Sequence, residues 1–316
     1  MHLRRWTVVA LAVAMTAGAC GGSDDATVTE ETATTTTVPE TTTAAPTTTV
    51  APTSTLPPVT APDPIAPAPP EGMDLVWSDE FDGDAVNPDN WTYDIGGWGW
   101  GNGEAQYYTD RTENARPENG VLVIELRQEQ FEDSFFTSAR LKTQGLQDFQ
   151  YGRIEARLKV PAGSGTWPAF WMLGANFEED APEEANRWPN VGEIDIMEYT
   201  GKEPDLILGT IHGPGYAGAG GKSKWFRQDF DIADDWHTYA VDWNEERIQW
   251  FFDDEMYSEV KPEDLNGREW VFDAPFFIIL NLAHGGTLGG FIDPELEYPI
   301  QYLADYVRVY QPTTAG

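Results

Sequence analysis

The sequence is poor in cysteine, histidine and basic residues, and each shortage excludes a class of protein. Its single cysteine, Cys20, excludes an intramolecular disulfide and a cysteine-based metal or redox site. The four histidines are scattered along the chain, unlike the closely spaced ligands of a zinc motif. Lys and Arg number 19 against 53 Asp and Glu, so the formal net charge is -34 over 316 residues. Because such a surface repels phosphate and sulfate groups, we expect no nucleic-acid partner and a neutral substrate or ligand.

The first apolar stretch is too short to span a bilayer and predicts an export signal instead. Residues 6–19 follow Arg4 and Arg5 and fall short of the ~20 residues that a spanning helix needs. The sequence Ala-Gly-Ala-Cys at 17–20 has two interpretations. Signal peptidase could release a secreted protein, or the segment resembles a bacterial lipobox in which Cys20 becomes the lipidated first residue. We predict a lipoprotein-type signal peptide over 1–19 and an extracytoplasmic protein that touches the membrane only through a lipid anchor at Cys20.

Composition then divides the remaining chain into a linker and one domain. Residues 20–72 are rich in Thr and Pro and show neither helical nor strand periodicity, which predicts a disordered spacer. No second change of composition follows, so we predict a single domain over 73–312 and a short tail over 313–316. We expect this domain to be monomeric.

Period-two alternation and short β-rich runs dominate the predicted domain and indicate an all-β fold. Gly, Pro, Asn and Asp separate these runs, and long amphipathic helical patterns are missing. Many strands at short spacing favour a β-sandwich of antiparallel sheets. The predicted strands include residues 120–127, 151–160, 191–199, 236–243, 247–252 and 276–282.

The most informative segment is Gly-Glu-Ile-Asp-Ile-Met-Glu at 192–198. In a strand, Glu193 and Asp195 lie on one face, while the isoleucines between and after them enter the core. Glu198 would lie on the wrong face of a regular strand. Because β-bulges recur beside active sites and redirect side chains, we predict a bulge near Met197 that brings all three carboxyl groups to one face.

Three acidic groups on one face permit catalysis, metal binding or a merely solvated surface. Like charges repel, so an acidic cluster with few basic neighbours lowers stability and raises at least one pKa. Glycoside hydrolysis needs two such groups, one ionised and one protonated. The pattern therefore favours catalysis by two carboxyl groups.

Together with several flanking segments, the acidic motif resembles glycoside hydrolase family 16, in particular its laminarinase-like endo-β-1,3-glucanases. The motif Glu-x-Asp-x-x-Glu of that family matches Glu193, Asp195 and Glu198. The resemblance covers essentially residues 74–311. Further similar segments are residues 102–109, 166–174, 209–216, 236–243, 275–283 and 305–310.

The resemblance implies a fold, a mechanism and a substrate class. It implies a concanavalin A-like jelly-roll sandwich with an open concave cleft, and endo-hydrolysis of β-1,3-glucan with retention of configuration. Glu193 would be the nucleophile, Glu198 the general acid/base and Asp195 an assisting carboxylate, with no cofactor for catalysis. Mixed-linkage glucan, agar or galactan hydrolysis, or a non-catalytic glucan-binding lectin of the same fold, are the alternatives.

The same resemblance assigns substrate and metal positions. It places Asn102 and Glu104 near the glycone side, Trp167 and Trp188 in the cleft, and His212 on the leaving-group side. It also implies a structural Ca²⁺ ion, for which the matching ligands are the Glu80 and Asp305 side chains and the Gly120 carbonyl.

Overall fold

A computed structural model of the chain describes residues 59–65 and 68–313. The predicted signal peptide, Cys20 and most of the predicted linker lie outside the described residues. The strands are β1 Met73–Asp79, β2 Thr92–Tyr93, β3 Gln106–Tyr108, β4 Ala115–Glu118, β5 Val121–Phe131, β6 Ser134–Ser138, β7 Arg140–Lys142, β8 Gly152–Lys159, β9 Thr166–Gly174, β10 Glu193–Tyr199, β11 Leu206–His212, β12 Lys222–Arg227, β13 His237–Trp243, β14 Ile248–Phe252, β15 Glu255–Val260, β16 Phe276–His284 and β17 Ile300–Pro312.

Helical structure in the described residues is limited to single turns. One α-helical turn, α1, spans Gly286–Gly289, and the 3-10 turns span Glu184–Asn186, Gly218–Gly220, Ile232–Asp234 and Pro262–Leu265. No helix in residues 59–65 and 68–313 is long and apolar enough to cross a bilayer.

Two sheets form a sandwich, which confirms the predicted all-β jelly-roll fold. The order in the larger sheet is β15-β14-β13-β8-β17-β5-β6-β3, with β1 also paired to β17 and β4 to β5. The order in the seven-stranded sheet is β12-β11-β10-β9-β16-β7-β2. The expectation of purely antiparallel sheets needs one correction, because β3 and β6 pair in parallel.

The alternation read from the sequence is the alternation that builds the core. In β8, Ile154, Ala156 and Leu158 are fully buried, whereas Glu155 and Arg157 on the other face are partly exposed. Each fully buried large apolar side chain contributes about 1.5–3 kcal/mol. In the seven-stranded sheet, β16 is buried at all nine positions, which explains its almost continuous apolar sequence.

Two arginines hold the carboxylates that the resemblance assigns to calcium. Arg308 makes a bidentate pair with Glu80, with its Nε at 2.9 Å and its Nη2 at 2.7 Å from the two carboxylate oxygens. Arg157 Nη1 lies 3.4 Å from Asp305 Oδ2. As arranged, these two side chains do not fit a Ca²⁺ site, because guanidinium groups already neutralise them. The calcium ion remains a prediction from the resemblance, which metal analysis of the dialysed protein would test.

Residues 59–65, which fall in the predicted linker, pack on the outer face of the larger sheet. Val59 is buried against Val121 and Val123. The main chain of this segment accepts three side-chain hydrogen bonds. Asn119 donates to the Val59 carbonyl, Arg157 to the Asp63 carbonyl and Arg308 to the Ile65 carbonyl, at 2.9, 3.0 and 2.8 Å. The segment therefore reaches the domain on the sheet that does not carry the acidic motif.

This packing predicts that Val59→Asp destabilises the domain. A charge placed against Val121 and Val123 loses hydration without gaining a partner, so we expect a loss of about 1–3 kcal/mol and a Tm lowered by several degrees. Thermal unfolding measures the change. Ile65→Asp is the matched control, because the Ile65 side chain is 45% exposed. Equal Tm values for the two variants would contradict the packing.

Candidate active site

A β-bulge in β10 places the three acidic residues on one face, as the sequence predicts. Two residues, Ile196 and Met197, stand opposite the single residue Gly209 of β11, and the register against β9 shifts at the same place. Both bulge residues are buried in the core. Asp195 and Glu198 consequently share the outer face of the seven-stranded sheet, which we call the carboxylate face.

A tryptophan from the opposite sheet supports the bulge from beneath. Trp250 of β14 donates its indole N–H to the Asp195 carbonyl at 2.8 Å. Gly209 makes room for this ring, since a Cβ at position 209 would lie 2.5 Å from Trp250 Cδ1. The sequence motif could not reveal this support, because β14 is distant along the chain.

Each acidic side chain has a nitrogen-bearing neighbour. Trp188 Nε1 donates to Glu193 Oε2 at 2.8 Å, and Trp167 Nε1 donates to Glu198 Oε1 at 3.1 Å. His212 Nε2 lies 3.2 Å from Asp195 Oδ2 and 3.6 Å from Glu193 Oε1. The structure thus brings the predicted Trp167, Trp188 and His212 to the motif as neighbours of its carboxyl groups.

The other two predicted substrate residues form a separate polar group. Glu104 accepts hydrogen bonds from Asn102 Nδ2 at 3.1 Å, Gln106 Nε2 at 2.7 Å and the Tyr108 hydroxyl at 3.1 Å. Three donors hold this buried carboxylate in a fixed orientation.

A close approach at Gly286 brings this polar group next to the motif. A Cβ on Gly286 would lie 3.0 Å from the Asn102 carbonyl oxygen, 3.4 Å from Glu104 Cγ and 3.4 Å from the Trp167 ring. Because Trp167 contacts Glu198, the Asn102–Glu104 pair and the carboxyl groups belong to one continuous site.

Two further residues of this site, Trp171 and Asn281, were not assigned from the sequence. The structure places Trp171 on the carboxylate face of β9, opposite Asp195. Its indole N–H donates to Asn281 Oδ1 at 2.8 Å, and Asn281 Nδ2 donates to the Tyr108 hydroxyl at 2.9 Å. Asn281 could have been suspected as a lone polar residue inside the apolar run of β16.

Burial and mutual repulsion raise the pKa values of all three motif residues. Burial, followed by the charge of Asp195, raises the pKa of Glu193 to about 8. Burial, followed by the charge of Glu193, raises the pKa of Glu198 to about 7. Burial and the charge of Glu198 hold the pKa of Asp195 well above its usual range. Carboxyl groups this close cannot all ionise at neutral pH, so the site retains protons.

The motif also has the donor set of a metal site. Ligand atoms of Glu193, Asp195 and His212 lie within 4.8 Å of one another, and among the described residues they are the one cluster of three or more such groups. Geometry alone therefore leaves metal binding open beside acid–base catalysis.

The family model described as "Glycosyl hydrolases family 16" matches residues 102–302, which include every motif and substrate residue named above. The chain belongs to glycoside hydrolase family 16.

Known relatives of this family 16 hydrolase support the same conclusion over most of its length. A β-glucanase of Rhodothermus marinus is 46% identical over 248 residues, which cover 75% of this chain and 85% of the relative. A glucan endo-1,3-β-glucosidase of Cryptopygus antarcticus is 41% identical over 236 residues, covering 68% of this chain and 82% of the relative. The crystal structure of the laminarinase catalytic domain from Thermotoga maritima superposes with a TM-score of 0.71 at 43% identity, covering 76% of this chain and 99% of that one.

The raised pKa values predict that neutralising Glu193 stabilises the hydrolase at neutral and basic pH. Between an ordinary glutamate value of 4.5 and about 8, the folded state holds a proton that the unfolded state lacks, so the free energy of unfolding falls as pH rises. Glu193→Gln removes this contribution to the pH dependence of stability. At pH 8 we therefore expect Tm to rise by roughly 2–4 °C for each kcal/mol by which the free energy of unfolding increases.

Calorimetry at pH 4 and pH 8 measures the effect, with exposed Glu295→Gln as the control. At pH 4 the Glu193 side chain is largely protonated in the folded and in the unfolded state, so no gain is expected there. A Tm gain of the same size at both pH values, or none at pH 8, would contradict a repulsive, desolvated site.

Proposed function

We propose that the chain is an endo-acting, retaining β-1,3-glucanase. The observation that carries the proposal is the bulged strand that directs Glu193 and Glu198 to one face, within a domain that closely resembles laminarinases over its whole length. A retaining glycosidase needs two such carboxyl groups on either side of the scissile bond. The endo mode of action is supported by the relative named as a glucan endo-1,3-β-glucosidase.

In the proposed mechanism, Glu198 protonates the glycosidic oxygen while Glu193 attacks the anomeric carbon. The leaving sugar departs, and a covalent glycosyl-enzyme forms on Glu193. Glu198, now ionised, then takes a proton from water, which attacks the anomeric carbon and releases Glu193. Two displacements at one carbon give net retention.

The neighbours of the carboxyl groups explain how one can be ionised and the other protonated. Asp195 is the most deeply buried of the three, and burial holds its pKa well above the usual range, so it can retain a proton near neutral pH. With a proton on Asp195, the charge that is the second-largest cause of the raised Glu193 pKa disappears. The Trp188 N–H then stabilises the Glu193 carboxylate. Glu198 keeps its own proton up to about pH 7 and can act as the acid.

The charge of the protein favours a neutral glucan over an anionic polysaccharide. The formal net charge of -34 repels sulfated or carboxylated chains before they reach the site. A lectin of the same fold is disfavoured, because a binder has no need for two desolvated carboxyl groups whose repulsion lowers stability. Activity assays on different polysaccharides distinguish β-1,3-glucan from a galactan or a mixed-linkage glucan as the substrate.

The proposal predicts that Glu193→Gln and Glu198→Gln each abolish hydrolysis while the fold is retained. Loss of the acid/base alone is expected to lower kcat by about 10²–10⁴-fold, and loss of the nucleophile by at least as much. Reducing-sugar release from laminarin, lichenan and agarose measures activity and linkage preference, with Glu295→Gln as the control. A folded Glu193→Gln enzyme with full turnover would overturn the assignment of Glu193 as the nucleophile. Sugar release from agarose alone would overturn β-1,3-glucan as the substrate.

We further propose that the enzyme is exported and lipid-anchored through Cys20. The support is the charged and apolar order of residues 4–19 and the position of the lone cysteine directly after Ala-Gly-Ala. We expect radiolabelled fatty acid to be incorporated into the full chain expressed in bacteria and lost in Cys20→Ser. An unlabelled wild-type chain would indicate the secreted alternative.

A further inference from the structure

An exposed tryptophan lies on the carboxylate face at the edge of the seven-stranded sheet. Trp225 belongs to β12, which is the edge strand of that sheet, and it is 50% exposed. Its neighbour Phe226 points the other way and packs against the core. An exposed indole on a strand whose next residue is anchored in the core is held in a fixed direction.

The side-chain contacts of β11 and β12 establish which face Trp225 occupies. Thr210 Oγ1 donates to Ser223 Oγ at 3.0 Å, so these two residues share a face. Thr210 is also paired with Asp195 across β10 and β11. Since alternate residues of a strand share a face, Trp225 lies on the same face as Ser223, Thr210 and Asp195.

Cross-strand pairing puts Trp225 in one row with the proposed acid/base. Trp225 is paired with Leu208, Leu208 with Glu198, Glu198 with Ala169, and Ala169 with Asn281. Neighbouring strands are about 4.8 Å apart, so Trp225 stands about 10 Å from Glu198 along a line that crosses the sheet. Ala169 and Leu208, both apolar, flank Glu198 in this row.

We propose that Trp225 is a stacking platform for a sugar unit of the same glucan chain, beyond the unit at which the bond is cleaved. Flat aromatic rings bind the apolar C–H faces of sugars, and a half-exposed indole provides such a surface. The distance from Glu198 excludes contact with the reacting carbon and makes Trp225 a specificity-determining residue. The inference rests on the proposed glucanase function, because the row is a binding track only if a polysaccharide crosses this face.

The test compares β-1,3-linked gluco-oligosaccharides of increasing length, from the trisaccharide upward. Trp225→Ala is expected to lower kcat/KM about tenfold (~1.4 kcal/mol) for oligomers long enough to reach β12 and to leave the shortest cleaved oligomer within about twofold of wild type. Trp225→Phe keeps an aromatic face and should restore most of the loss. Met256→Ala, which removes an equally exposed apolar side chain on β15 of the other sheet, is the control.

The outcomes separate the two proposals. A wild-type enzyme that cleaves none of these oligomers contradicts the glucanase function itself. If the wild-type enzyme cleaves them and the kcat/KM of Trp225→Ala depends on oligomer length as that of the wild type does, the result overturns the stacking platform but not the glucanase function. An equal loss at every length, the shortest included, also overturns it, because it would show that Trp225 merely covers Leu208. Should Trp225→Ala fold poorly, Trp225→Gln offers the same comparison without an aromatic face.

Discussion

One extra residue in a single strand determines whether this domain has an active site. A regular strand would place Glu198 in the core and leave only Glu193 and Asp195 on the carboxylate face. The bulge turns the Glu198 side chain to the carboxylate face. The ladder hydrogen bonds that a bulge disrupts are offset locally, because Ile196 and Met197 both enter the core and the Trp250 indole donates to the Asp195 carbonyl. The backbone geometry of β10 is thereby fixed by packing beneath it, which leaves the side chains above free for chemistry.

The second constraint is the removal of water from carboxyl groups that repel one another. Burial raises the pKa values of Glu193 and Glu198 to about 8 and about 7, so the folded domain loses stability near neutral pH to keep this arrangement. The indole N–H groups of Trp188 and Trp167 offset part of that loss by donating to the carboxylates. In the proposed mechanism, a site that retains protons in this way supplies both the acid and the nucleophile.

The sequence predicted those features that depend on local spacing. Period two located the strands, and the failure of period two at Glu198 located the bulge. Features that depend on contacts between residues distant along the chain could not be predicted from the sequence. The support from Trp250, the row that joins Trp225 to Glu198 and the packing of Val59 on the larger sheet all follow from strand order. The pairing of Glu80 with Arg308 is another contact between residues distant along the chain, which local spacing does not reveal.

The central claim is that Glu193 forms a covalent bond with the sugar while Glu198 moves the proton. A fluorinated β-laminaribiosyl donor that forms the glycosyl-enzyme but releases it slowly allows this to be measured by peptide mass spectrometry. Our account predicts one added laminaribiosyl group per domain, carried by Glu193 and absent from Glu193→Gln. A sugar found on Glu198 or Asp195, or an enzyme that turns over its substrate and never becomes labelled, would contradict it.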